Sequence, residues 1–176
     1  VVALDGALQR AGALWGRGEL LAAMPPFLGG GSMIGNVTLD GFTTAALPAK
    51  FEAGTPAIAE TVGFGAAVDY LSEIGMDRVA AHERELTVYA LDALNRRYGD
   101  RIRIYGPSDP TRRGGMASFT YGDVHSHDVS QVLDQRGICV RAGHHCAKPL
   151  LKLLGVPAVT RASWYVHNDR DDIDAL

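Results

Sequence analysis

Apolar residues recur at helical spacing in the middle of the chain. Val79, Leu86, Ala90, Ala93 and Leu94 form one stripe, which predicts a helix over about 77–98. A second helix is expected just before it, over about 56–74, opened by Pro56 and closed by Gly75. Downstream the pattern alternates between short strand-like runs at 101–105, 116–121, 138–141 and 159–166 and helical stretches at 126–136 and 149–154. In the first of those helices Val129, Val132 and Leu133 point inward, and Gly137 ends it. Asp169 opens a last helix that is cut off at Leu176. Upstream, 13–15 reads as a short strand and 19–24 as one or two helical turns stopped by Pro25. Residues 27–54 read as mostly loop, with a short strand at 36–39.

Strands separated by helices in a small lobe argue for an α/β or α+β sandwich. The preferred boundary lies near Gly75 and divides 1–75 from 76–176. The chain begins without a convincing first element and ends inside a helix, so the expectation is a piece of a longer protein.

Composition narrows the function classes. The 176 residues are 47% hydrophobic and 21% charged, which is ordinary for a globular chain. A net charge of −3 gives no basic footprint for nucleic acid and no polybasic membrane patch. No apolar run approaches the ~20 residues needed to span a bilayer. Asp5, Gln9 and Arg10 break up the start, which lacks the order of a signal peptide. With only Cys139 and Cys146, a disulfide framework is not expected; a reduced, cytoplasmic setting with a free thiol fits better.

Three segments carry candidate chemistry. Arg141-Ala-Gly-His-His-Cys146-Ala-Lys-Pro149 sits between an expected strand and an expected helix, and a thiol beside Arg141, His144 and His145 is placed to be reactive. The alternative is a buried, inert thiol. Cys139, inside Ile-Cys-Val, reads as a small core residue in mid-strand, so Cys146 is expected to be far the more reactive. No metal is expected: His125, His127, His144, His145 and Cys146 are zinc-type ligands, but the last three are consecutive and cannot all face one ion, and no Cys-x-x-Cys pair exists. Thr55, after Gly54, is read as the cap of the helix over 56–74. It either caps that helix and no more or adds its hydroxyl to an anion site. Arg161 lies in a strand of otherwise apolar and small residues and must face solvent, a carboxylate or an anionic ligand. The run Gly29-Gly30-Gly31 lacks the strand–helix context of a dinucleotide site.

Taken in order, Ala13-Leu-Trp-Gly16, Met24-Pro-Pro with Gly-Gly-Gly-Ser-Met-Ile34, Lys50-Phe-Glu-Ala-Gly-Thr-Pro56, Arg141-Ala-Gly-His-His-Cys-Ala147 and Arg161-Ala-Ser163 resemble the SUF-type (group II) cysteine desulfurases. These are class V aminotransferases of fold type I. The resemblance covers nearly the whole chain from Ala13. It implies an α/β fold, with the end of the large domain over 1–75 and a small C-terminal domain over 76–176. It implies pyridoxal phosphate (PLP) as cofactor, L-cysteine as substrate, a sulfur-acceptor protein as partner in iron–sulfur cluster assembly, and a homodimer. By position, Cys146 would take the sulfur as a persulfide and Arg161 would hold the substrate carboxylate. Arg141 would be a second active-site arginine, and Thr55 would reach the PLP phosphate of the neighbouring subunit. The glycine run matches a loop near the dimer's active site. The family's Schiff-base lysine lies in a Ser-Gly-His-Lys segment just before the Leu-Trp-Gly strand. Here residues 1–12 hold no lysine, and Lys50, Lys148 and Lys152 match other positions. The resemblance therefore implies the C-terminal part of such an enzyme, inactive alone. A selenocysteine lyase or other class V lyase, and a non-catalytic dimerising remnant, are the other readings.

Overall fold

The computed structural model describes residues 11–176. The readings above that rest on residues 1–10 lie outside the described residues. The chain divides into two compact units, one closing at Glu73 and the other running from Ile74 to Leu176.

In the first unit, α1 (Gly18–Ala23) stops at Met24, before two prolines that cannot continue a helix. A hairpin follows, β1 (Ile34–Thr38) and β2 (Gly41–Thr44), paired antiparallel with Thr38 opposite Gly41. Only one of these strands was expected. The missed signal is a short turn, Leu39-Asp40 before Gly41, between runs rich in Val, Thr and Phe. Met33, at the hairpin's base, is fully buried. The expected strand at 13–15 is coil, with Leu14 and Trp15 exposed. A strand needs a neighbour to pair with, and the hairpin is the one sheet among the described residues of this unit.

The helix α2 (Ile58–Ile74) starts two residues later than expected. Its first carbonyl acceptor is Ala57, which takes a hydrogen bond from the Thr61 amide at 2.9 Å. Thr55 is therefore not the helix cap. It sits exposed in a bend, preceded by Gly54 at φ +92° and followed by a proline that disfavours helical geometry in the residue before it.

The second unit is one antiparallel sheet with helices packed on it, so of the two sandwich classes left open it is α+β. The long helix α3 (Met76–Tyr98) comes first. It is followed by β3 (Ile102–Tyr105), β4 (Met116–Tyr121), α4 (Ser126–Asp134), β5 (Arg141–Gly143), α5 (Lys148–Leu154), β6 (Val159–Ser163) and α6 (Arg170–Ala175). The strand order is β3-β4-β6-β5, antiparallel throughout. Alternation along the strands gives the sheet two unlike faces. Ile102, Ala117, Phe119 and Ala162 lie on one face, packed with Leu86, Ala90 and Leu94 of α3 and Ile173 of α6 in one apolar cluster. Trp164 is buried with them, and its indole N–H donates to the Thr87 hydroxyl at 3.1 Å, so its polar atom is satisfied. On the other face lie Tyr105, Ser118, Val159, Arg161, Arg141 and Gly143.

Two expected strands are trimmed. The strand read at 138–141 begins only at Arg141, because the residues before it close α4. Gly137 adopts φ +74°, and the Ile138 amide bonds back to the Leu133 carbonyl at 3.0 Å. This is the pairing of a Schellman ending, and it takes Ile138 out of the ladder. Cys139 is therefore neither in mid-strand nor in the core: it is exposed coil. The strand read at 159–166 ends at Ser163, since Tyr165 and Asn168 bond each other in a turn.

Candidate active site at the Cys146 turn

The register of β6 decides the arrangement. Arg161 pairs with Ser118 of β4 on one side and with Arg141 of β5 on the other. Residues directly opposite in an antiparallel ladder share a face, with Cβ atoms about 4.5–5.5 Å apart. The two arginines thus stand side by side. Like charges so placed repel each other, and an anion lying across both guanidiniums would reverse that cost. Arg141 is exposed. Arg161 is half-buried, and its Nε–H is buried without a hydrogen-bond partner. A guanidinium with an unused donor is prepared for a ligand acceptor. The expectation that Arg161 faces solvent, a carboxylate or an anion narrows accordingly: among the described residues it makes no ion pair with a carboxylate.

Beyond β5 the chain turns sharply. The Ala147 amide bonds to the His144 carbonyl at 2.8 Å, closing a turn whose central residues are His145 at φ +51° and Cys146 at φ +59°. Two successive positive φ values give the sign pattern of a type I′ turn, usually made with Asn or Gly. Two side-chain-bearing residues there store backbone strain, a feature that concentrates at functional sites. Cys146 is exposed at the tip. Arg141, His144, His145 and Cys146 line one open cleft of about 510 Å³, joined by His125 and His127 from the start of α4. Sequence reasoning weighed those two histidines only as metal ligands; the fold brings them beside the thiol through α4's contact with β5. Among the described residues, no group of three or more His, Cys, Asp or Glu side chains is arranged to hold a metal.

His145 is the best-defined side chain of the turn. Its Nε2 bonds the Val159 carbonyl at 3.1 Å, which fixes Nε2 as the protonated nitrogen, because a carbonyl only accepts. Its Nδ1 is buried with no partner. Burial pushes the His145 pKa down, the bond to Val159 opposes this, and Arg161, Arg141 and His144 press it further down. The neutral imidazole is therefore the working form at pH 7. A pKa lower in the folded state than in the unfolded chain means that the unfolded chain takes up the proton first. As pH falls below about 6.5, the ordinary histidine value, His145 should erode stability, and the erosion should level off below its folded pKa. A His145→Gln variant should show a shallower loss between pH 7 and 5 in urea melts; an unchanged slope would exclude the effect.

Thr55 belongs to the other unit, in the exposed bend described above. The expected contrast between the thiols no longer rests on burial, since Cys139 and Cys146 are both exposed. It rests on Arg141, which lines the same cleft as Cys146.

Comparison with known proteins bears on this geometry. The Aminotransferase class-V family model matches residues 11–176. A probable cysteine desulfurase of Streptomyces coelicolor is 54% identical over 165 residues, which are 94% of this chain and 39% of that protein. A cysteine desulfurase of Haloferax volcanii is 52% identical, again over 94% of this chain and 38% of its own length. The crystal structure of the Escherichia coli cysteine desulfurase CsdA, in an S-sulfonic acid form, superposes with a TM-score of 0.83 at 40% identity, covering 92% of this chain and 39% of that one. The chain spans about two fifths of the length of the proteins it matches. From the family match over residues 11–176, the chain belongs to the class-V aminotransferases.

Proposed function

We propose that this chain carries the sulfur-accepting and carboxylate-binding part of a SUF-type cysteine desulfurase. The observation that carries the reading is the paired rung Arg161–Arg141 next to the exposed Cys146 turn. The net reaction is L-cysteine plus the Cys146 thiol giving L-alanine plus a Cys146 persulfide. A sulfur–sulfur bond forms at Sγ and the substrate's carbon–sulfur bond is replaced by carbon–hydrogen, so atoms balance. Arg161 fits the α-carboxylate, with its planar fork of donors, and Arg141 adds positive charge on the thiol side. His125, His127, His144 and His145 line the cleft as polar walls. An exposed persulfide can then pass its outer sulfur to the thiol of an acceptor protein. A homodimer in the cytoplasm is the proposed setting; the exposed Val37, Leu39 and Phe42 of the first unit's hairpin suit burial against a second copy.

PLP, the cofactor implied by the family, does not fit this chain alone. Lys50 is engaged: its Nζ donates to the Ala22 carbonyl at 2.8 Å and lies 5.6 Å from the Phe51 ring centre. Lys148 and Lys152 are exposed on α5, after the thiol. None stands as a Schiff-base lysine, and Thr55 offers at most a hydroxyl for the phosphate, so no step is derived through the cofactor.

The test is a full-length enzyme carrying these residues, incubated with L-cysteine and mapped by mass spectrometry. A mass gain of one sulfur on the Cys146 peptide, with alanine released in step, is the expected result. Sulfur on Cys139 alone, or none with alanine still formed, refutes the reading. In the same enzyme Arg161→Lys keeps the charge but loses the fork. KM for L-cysteine should rise about ten- to a hundredfold, the equivalent of roughly 1.5–3 kcal/mol for a charge-assisted pair. An unchanged KM would return Arg161 to a structural role.

A further inference from the structure

Among the described residues three buried side-chain polar atoms lack partners, Ser126 Oγ, His145 Nδ1 and Arg161 Nε, and the last two are complementary. Arg161 Nε–H is a donor and can only donate. His145 Nδ1, in the tautomer set by the Val159 carbonyl, is a bare acceptor. Both side chains are tied to the same stretch of β6: Arg161 grows from it, and His145 is bonded to the carbonyl two residues earlier. Val159 and Arg161 point to one face, the face of the arginine rung. The charges facing His145 are Arg161 from β6, Arg141 from β5 and, on its own turn, His144; His125 and His127 from α4 and Cys146 share the cleft. None of these other groups is bonded to Nδ1.

We infer that His145 is a positioning residue, whose Nδ1 accepts the Arg161 Nε–H, directly or through one water, when Arg161 turns its outer nitrogens to a carboxylate. The inference rests on the reading of Arg161 as the carboxylate holder. One imidazole then joins the substrate's carboxylate fork to the residue next to the nucleophile. Holding Nε–H in this way leaves both outer nitrogens of the guanidinium for the ligand and removes rotamers that point elsewhere. A protonated His145 could not play this part, because Nδ1 would then be a donor facing a donor.

Two substitutions separate this role from a merely structural one. His145→Gln keeps a distal N–H for the Val159 carbonyl and loses the acceptor at Nδ1. His145→Asn loses the long reach and keeps an acceptor oxygen near the Nδ1 position. The probe is alkylation of Cys146 in the intact chain by iodoacetate, which carries a carboxylate, against neutral iodoacetamide, with peptide mapping to exclude Cys139. The wild-type protein should favour iodoacetate several-fold more at Cys146 than at Cys139. His145→Gln should lose at least half of that preference with little change toward iodoacetamide, and His145→Asn should keep more of it than His145→Gln. In 15N-arginine spectra recorded with excess acetate as the carboxylate, the Arg161 Nε–H should exchange with water at least tenfold faster in His145→Gln than in the wild type. An unchanged preference and unchanged exchange in His145→Gln overturn the inference. So does a loss in which Asn is no better than Gln and iodoacetamide reactivity falls in parallel, which marks the turn alone. Arg161→Gln is the control for the underlying reading. If it keeps the preference while exchange still depends on His145, the carboxylate role of Arg161 fails and the pairing stands.

Discussion

In a full-length enzyme carrying these residues, Cys146→Ser should lower alanine formation from L-cysteine at least about a thousandfold, the scale on which removing a covalent nucleophile acts. The serine hydroxyl fits the same turn but neither ionises near neutral pH nor accepts sulfur. Substrate binding should change little, because the carboxylate would be held by Arg161 on β6 and not by the thiol. The assay is alanine release alongside a KM measurement. Substantial residual turnover would mean that sulfur leaves by another route, and Cys139 would be the group to examine. Cys139→Ser serves as the paired control: it lies in coil outside the Cys146 cleft, and its loss should leave the rate near that of the parent.

Phe119→Ala should cost this chain about 3–5 kcal/mol of stability, as expected for truncating a buried aromatic side chain. Phe119 sits in the middle of β4, 4% exposed, within the cluster formed by α3, the sheet and α6. Its neighbours along the rung are Ile104 and Thr160, both on strands paired with β4, so the sheet cannot easily collapse into the space left behind. For a unit of about a hundred residues, each kcal/mol shifts Tm by roughly 4–8 °C, so a drop of more than 10 °C is expected in a thermal melt. A small shift would show that the face packed by α3 is not the one holding the unit together.

Much of the second unit was legible because its strands alternate and its long helix carries a clean apolar stripe. The helix at Met76–Tyr98 and the strand at Met116–Tyr121 sit within a residue of where the pattern puts them. Two of the errors share a cause: a terminus decided by backbone hydrogen bonding and not by side-chain type. Ile138, Cys139 and Val140 look like strand, yet Ile138 is used to finish α4. Thr55 looks like a cap, yet the first helical carbonyl belongs to Ala57. The site divides in the same way. Cys146, Arg141 and Arg161 stand out as charged or reactive residues next to apolar strands. Their register, which puts the two arginines opposite each other, depends on a pairing between segments twenty residues apart, and no local pattern encodes it. The unpaired nitrogens of His145 and Arg161 are visible only in three dimensions.

The alternation along β6 also governs how the chain tolerates insertions and deletions. Successive side chains, Val159 to Ser163, serve opposite masters: Thr160 and Ala162 belong to the packed face, Val159 and Arg161 to the face of the arginine rung. Gain or loss of one residue in the connection at Pro157 and Ala158, if absorbed by sliding the strand, would bring a guanidinium into the apolar layer and turn Thr160 or Ala162 toward the opposite face. With β4 on one flank and β5 on the other, the strand has no free edge along which to slip unnoticed. Length variation at this loop is therefore a sensitive gauge of the lineage: single-residue indels should be absent from working homologues, while loops outside the sheet, such as the one around Ser108, can vary in length.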